Sequence, residues 1–296
     1  MTASADQPTL AGMPKRLFRC TPTMLASFDC PRRYRFAYID RPSPSKGAPW
    51  AHNTVGSAAH LALARWWSLA PQKRTPAAAV ALVLGAWNDL GAPPSVRSKT
   101  VGGGFKDSAQ SGRYRDATAT WVERYVTDHF EHAEDPIGAE RTVSAPVGSL
   151  VVSGRVDRID EQDGTGELTI VDYKTGRRGV SRDEARGSQA LALYVLGARR
   201  TLRRPVRRVE LHHLPSGEVA SFEHTDESLA RHLARAEATA DDIQAATDTL
   251  ASGAPADAVF PPNPGPTCSW CDFRQHCPEG QDASQPIDPW AGLAEL

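Results

Sequence analysis

The stretch GRVDRIDEQDGTGELTIVDYKTG, residues 154–176, decides the fold. Apolar and β-branched residues recur in "RVDRID" and "LTIV", and the intervening "DGTG" supplies turn formers. The pattern predicts two antiparallel strands folded back on one another. Alternation along the second strand puts Asp172 and Lys174 on one face and Tyr173 on the other. Asp157, one strand earlier, can face the same cleft as Asp172. Two carboxylates near one point repel each other unless a cation lies between them. A hard divalent ion such as Mg²⁺ or Mn²⁺ takes oxygen ligands. Lys174 beside that ion would orient a water or stabilise developing charge. An isolated Asp near a turn is more often a solvated edge residue. The arrangement D-x14-D-x-K across a hairpin is far more specific. Asp160 reads as turn-adjacent and exposed.

Working outward, "ERTVSAPVGSLVVSG" upstream extends the β pattern into an antiparallel meander, and Glu140 opens it, either bordering the site or starting a surface strand. Residues 1–19 read as a loose tail. A helix is expected from Thr21, interrupted at Pro31, and a Pro-rich loop over 41–50. Helices are expected over 55–70, 75–90 and 117–132, with a basic, mobile loop over 91–116. Downstream, 181–202 reads as a helix, 206–225 as a hairpin turning at "PSG", and 226–253 as a long amphipathic helix stopped by Gly253. The expectation is an α/β fold with a mixed central sheet flanked by helices. Residues 20–296 would form one domain, with a helical part (20–135), a β-rich core (138–225), a helix (226–253) and an irregular tail (254–280). No repeat of 20–50 residues and no G-x-x-x-x-G-K-[ST] motif occurs.

The chain has 296 residues, 40% hydrophobic and 23% charged, with a formal net charge of −1. That composition suits a soluble globular protein, and the apolar runs are far short of a bilayer span. The first residues lack a basic start followed by an apolar core, so a cytoplasmic location and no membrane partner are expected. Net charge neither demands nor excludes nucleic acid. Basic clusters occur at 30–35, 176–182 and 199–208, for each of which a solvated surface is an even alternative to a binding role.

Five cysteines are present: Cys20, Cys30, Cys268, Cys271 and Cys277. A disulfide framework is out of character for a cytosolic chain of this size, and metal binding is the better reading. The last three give C-x2-C-x5-C. With Cys30 they make four thiols, which suit zinc or an iron–sulfur cluster, and spacing does not separate the two. Cys20 reads as a buried or partly buried free thiol.

The residues "GRVDRID…LTIVDYKTG" resemble the PD-(D/E)XK nuclease superfamily, in the branch of the RecB nuclease domain and the CRISPR adaptation nucleases. The resemblance implies a restriction-endonuclease-like core and metal-dependent phosphodiester cleavage. It assigns Asp157 and Asp172 as metal-binding acids, Lys174 as the catalytic lysine and the Tyr173 backbone carbonyl as a further metal-facing group. The branch's G-x-x-x-H motif is similar to "GSAAH", Gly56 to His60, which makes His60 a metal ligand. Its Q-x-x-x-Y motif is approximated by Gln189 and Tyr194, which are five residues apart rather than four and so poorly aligned on a helix. "CPRRYRF" and "CSWCDFRQHCPEG" look like the two halves of that branch's [4Fe–4S] site, held by Cys30, Cys268, Cys271 and Cys277. The implied function is a metal-dependent DNA nuclease, an exonuclease in repair or recombination, acting on single-stranded ends with a helicase or repair partner. The alternatives are a CRISPR adaptation nuclease that trims DNA before integration, and a non-catalytic DNA-binding scaffold. Arg113, Arg115, Arg177 and Arg178 are candidates to guide a DNA backbone. Trp66, Trp67 and Tyr114 are candidate stacking groups, the two tryptophans reading more readily as core.

Overall fold

A computed structural model describes residues 17–90, 103–130, 134–162 and 164–296. The strands are β1 (Phe18–Cys20), β2 (Gly138–Val147), β3 (Leu150–Glu161), β4 (Leu168–Lys174), β5 (Val206–His213) and β6 (Glu218–Glu223). The larger helices are α1 (Pro22–Ser27), α2 (Pro31–Tyr34), α3 (Ala51–Trp67), α4 (Pro76–Leu90), α5 (Ser108–Phe130), α6 (Arg182–Gly187), α7 (Gln189–Leu202) and α8 (Asp226–Ala251).

The six strands form one mixed sheet in the order β1-β3-β4-β5-β6, with β2 also paired to β3. β2/β3, β3/β4 and β5/β6 are antiparallel. β1/β3 and β4/β5 are parallel. A parallel neighbour requires a crossover, which α6 and α7 supply between β4 and β5. One edge of β3 is taken by β2 from Leu150 to Ile159. The other edge is shared: β1 takes Leu150–Val152 and β4 takes Arg158–Glu161. Between those two partners β4 has diverged, and Asp157 stands at the fork.

Helices cover both faces. α3, α4 and α5 pack with Val171, Tyr173 and Leu214 on one side. α7 packs with Val143, Val156, Ile159, Ile170 and Val209 on the other. Trp66 and Trp67 are buried in the first cluster, against Phe130. They are core, as the sequence favoured. This arrangement is the mixed sheet flanked by helices expected for the fold class.

Several expectations are corrected. The segment before Cys20 is not all tail, since Phe18–Cys20 extends the sheet edge; residues 1–16 lie outside the described residues. α5 begins at Ser108, nine residues before the expected start, initiated where Asp107 accepts from the Gln110 N–H. Of the expected loop, 91–102 lies outside the described residues. The helix expected over 181–202 is two. Ser188 is extended (φ −68, ψ 106), and its hydroxyl accepts from the Leu191 N–H, so it ends α6 and caps α7. After Thr21, the chain makes α1, then α2 with Cys30 at its N-cap and Pro31 in its first turn, then a π-helical turn over Arg35–Ile39.

Candidate functional site

The fork between β3 and β4 is closed by a side chain. Asp157 Oδ2 accepts from the Tyr173 backbone N–H at 2.8 Å. The carboxylate therefore satisfies a donor that has lost its β3 partner, and it is held by the sheet itself. Asp157 Oδ1 lies 3.2 Å from His60 Nδ1. The other ring nitrogen, Nε2, lies 3.1 Å from the Tyr173 carbonyl. His60 thus touches both the acid and the backbone group assigned to metal binding.

α3 delivers His60 because Gly56, one turn earlier, lets the helix approach the exit of β4. A Cβ at Gly56 would stand 3.2 Å from Thr175 Oγ1. Gly56 and His60 share a helix face by their i,i+4 spacing.

Glu140 lies near the start of β2 and also borders these groups. It sits opposite Asp157 where β2 runs beside β3, and its φ of +48° is rare for a non-glycine residue. Such a conformation persists only where surrounding contacts hold it. Arg155 Nε contacts its Oε2 at 2.6 Å, and its Oε1 is 3.9 Å from His60 Nδ1. His60, Glu140 and Asp157 each offer a ligand atom within 4.8 Å of the others. Among the described residues they form the one such group of three or more His, Cys, Asp or Glu.

Asp172 stands just outside that trio, with Oδ2 2.6 Å from Lys174 Nζ. The two share a face of β4. Tyr173 faces the other way, its hydroxyl accepting from Arg158 Nη1 at 3.1 Å.

The electrostatics mark an excess of negative charge. Burial, together with Asp157, raises the Glu140 carboxyl above its ordinary range. Burial also raises Asp172, with Asp157 adding to it and Lys174 opposing. Burial would lower His60, but Asp157, Asp172 and Glu140 outweigh it and raise it. Two carboxyls that resist ionisation beside a histidine that favours protonation describe a site suited to a cation. A hard divalent ion accepts this set of carboxylate, carbonyl and imidazole donors, and imidazole favours Mn²⁺ over Mg²⁺.

The opposite face carries a buried network the sequence did not reveal. Arg158 is 5% exposed. It donates to the hydroxyls of Tyr125 (3.0 Å) and Tyr173 (3.1 Å) and to Asp160 (2.9 Å). Tyr125 in turn meets His212 Nδ1 at 2.7 Å, and His212 Nε2 meets Glu210 at 2.8 Å. Asp160 is therefore half-buried and engaged, not an exposed turn residue. The network ties β3 to β4 from behind, one residue from Asp157.

Of the remaining candidates, Tyr194 stands within electrostatic reach of Asp172 and Asp157, and the others are dispersed. Tyr194 packs so closely over Gly154 that a Cβ there would collide with its ring. Burial raises its phenol, with Asp172 and Asp157 contributing. Gln189 begins α7, and its side-chain nitrogen is buried without a hydrogen-bond partner. Arg177 and Arg178 line a groove with Lys174, Arg177 pairing with Glu295. Arg113 and Arg115 lie on α5, where Arg115 pairs with its neighbour Asp116. The Tyr114 hydroxyl donates to the Ala294 carbonyl, which makes it a packing residue.

Cys30, Cys268, Cys271 and Cys277 line one small cavity. No three of their sulfurs lie mutually within 4.8 Å. Backbone N–H groups of Asn263 and Gly265 donate to Cys30 and Cys268 at 3.4 Å each. Gly280 leaves room: a Cβ there would lie 3.4 Å from the sulfurs of both Cys268 and Cys277. Two of the three arginines of "CPRRYRF" are largely buried. Arg32 pairs with Glu279 (2.6 Å) and Arg35 with Asp257 (2.9 Å), which binds the two ends of the chain together. Cys20 is buried in the core, and burial pushes its thiol up to about 11.

A family model described as the PD-(D/E)XK nuclease superfamily matches residues 19–278. No curated protein matches the chain. Among solved structures, a protein of Eubacterium rectale described as a candidate exonuclease is similar at 10% identity and a TM-score of 0.44, over 76% of this chain and 79% of that one. The protein SSO0001 is similar at 16% identity and a TM-score of 0.30, over 86% and 94%.

Proposed function

Since the chain belongs to the PD-(D/E)XK nuclease superfamily, we propose that it is a divalent-metal-dependent deoxyribonuclease, an exonuclease that processes DNA ends in repair or recombination. The observation that carries this reading is the convergence of His60, Glu140 and Asp157 beside the Asp172–Lys174 pair. Asp157, Asp172, Glu140, His60 and the Tyr173 carbonyl would hold the ion. When bound, the ion supplies a water of lowered pKa and neutralises charge on the scissile phosphate. Asp157 keeps the β3–β4 fork in register through its bond to Tyr173. Lys174 places a positive charge beside the acids, where it can pair with a phosphate oxygen. Arg177 and Arg178 follow it along the groove and suit a sequence-independent backbone contact.

The cysteine cavity is proposed to hold a [4Fe–4S] cluster that staples Cys30 to the tail. The lining of one cavity by all four thiols and the bare backbone at Gly280 support it. A helicase or repair partner would feed the nuclease its strand.

The test is digestion of end-labelled single-stranded and duplex DNA with Mg²⁺ or Mn²⁺. The expected outcome is metal-dependent release of short products from one end, absent in Asp172→Ala. Absence of cleavage with either ion, or equal cleavage by the variant, overturns the nuclease reading; internal cuts overturn the exonuclease part alone.

A further inference from the structure

We propose that Trp270 is a stacking platform for an unpaired nucleobase of the strand held in the active-site groove. The proposal rests on the nuclease reading above and names the form of DNA the groove accepts.

Trp270 sits between two of the cluster-type cysteines, in the 3₁₀ turn Pro266–Trp270. It nevertheless lines the same open groove as Lys174, Arg177 and Arg178, a space of about 530 Å³. Small-ligand sites span about 300–1,000 Å³, so a nucleotide fits. Trp270 is 43% exposed, and among the described residues it is the one aromatic in the set of exposed large hydrophobics. Packing does not account for that exposure, because the ring is already propped from behind. Trp50 lies 5.2 Å away, tilted by 46°, and His52 lies 5.7 Å away, edge-on. Trp50 is itself fixed, its Nε1 donating to Asp272 at 3.0 Å. The turn is pinned as well: the Cys271 N–H donates to the Cys268 carbonyl, and the Ser269 hydroxyl to the Gln285 carbonyl. A rigid indole is thus presented to a groove whose opposite lining is cationic.

Charge and shape together select the occupant. Lys174, Arg177 and Arg178 complement a phosphate backbone, with Glu184 the acid lining the same groove. An aromatic face complements a base whose own face is free. In a duplex both faces of each base are covered by stacked neighbours, so the match is to a single strand. A phosphate near Lys174 and a base on Trp270 would place the strand across the groove, and the cysteine turn would set the position of the base. The cysteine site then contributes to DNA binding through Trp270 as well as to folding of the tail.

The test is metal-free binding, followed by fluorescence anisotropy in EDTA. The ligands are a labelled oligothymidylate, an abasic strand of equal length, and a duplex. The wild-type protein should bind the thymidylate about 5- to 150-fold more tightly than the abasic strand, the range expected for one stacked base. Trp270→Leu should lose that preference while binding the abasic strand as before, and Trp270→Phe should restore most of it. Equal binding of the two strands by the wild type overturns the proposal. So does an undiminished preference in Trp270→Leu, or tighter binding of duplex than of single strand. If the leucine variant fails to fold, the wild-type comparison and the phenylalanine variant still decide. Because no cleavage is read, a failure of metal-dependent digestion would sink the nuclease reading without deciding this one.

Discussion

The acid site and the cysteine site gather their ligands in opposite ways. Glu140 and Asp157 lie on paired strands, and His60 reaches them from a helix packed on the same sheet. Sheet register places the two acids, and burial together with the nearby Asp157 charge makes the Glu140 carboxyl harder to ionise. The four cysteines come from the two ends of the chain and surround a cavity without a ladder to hold them. Ion pairs such as Arg32–Glu279, and N–H groups directed at sulfur, do that work. A site built on a sheet should keep its geometry with or without the ion proposed for it. A site built from irregular segments should depend on the group proposed for its thiols.

The largest effect that would break this contrast is at Asp172. Asp172→Ala should cost at least about 10³-fold in metal-dependent cleavage, because it removes a proposed ligand and leaves Lys174 without its partner. Iron content, read from sulfur-to-iron absorbance near ~400 nm, and the thermal midpoint should stay close to wild type. Loss of iron in this variant would show that the two sites are not built independently. The reciprocal change is Cys30→Ser. It should abolish iron incorporation and destabilise the protein by at least about 2 kcal/mol, measured by thermal unfolding of anaerobically purified protein. Full iron loading in that variant would remove Cys30 from the ligand set.

A third change tests whether the acids are placed by the sheet alone. Arg158 is buried, and three groups depend on it: Tyr125, Tyr173 and Asp160. Arg158→Met preserves volume but strands a half-buried carboxylate, so a loss of about 3–5 kcal/mol is expected in denaturant unfolding. The metal concentration needed for half-maximal cleavage should also rise, since Asp157 is the next residue. An unchanged metal requirement in a destabilised variant would confine Arg158 to stability.

How much of this was legible in the sequence follows from the same contrast. Period-2 alternation and the "DGTG" turn sufficed to pair β3 with β4 and to set Asp172 and Lys174 on one face, because strand geometry is local. Glu140 was harder. Its position opposite Asp157 depends on β2–β3 register, and its positive φ leaves no trace in a sequence. Ser188 carried a signal that was readable afterwards: a serine three residues before a backbone donor is a cap, and here it splits one apolar pattern into two helices. Arg158 and Asp160 looked like solvated charges because i,i+2 spacing on a strand says nothing about what covers that face. The answer lay with Tyr125, 33 residues upstream on α5. Nothing in the sequence sets Trp270 apart from its neighbours Cys268 and Cys271, and only the fold brings it beside Lys174.

The smallest expected effect separates the two faces of β4 most cleanly. Tyr173 contributes to both: its backbone carbonyl faces His60, while its hydroxyl accepts from Arg158. Tyr173→Phe leaves the carbonyl in place and removes one acceptor from a guanidinium nitrogen that still has Tyr125 at 3.0 Å. The loss of one such hydrogen bond should cost about 1 kcal/mol, a shift of roughly 2–4 °C in thermal midpoint for a chain of this order of size. The metal requirement for cleavage should hold within about twofold, since no ligand atom is touched and the ring still packs on Tyr125. A metal requirement that rises as far as in Arg158→Met would mean that the hydroxyl, and not the fork closed by Asp157, sets the position of the ligand strand. The sheet would then be insufficient to place the acids, and both sites would depend on contacts outside any ladder.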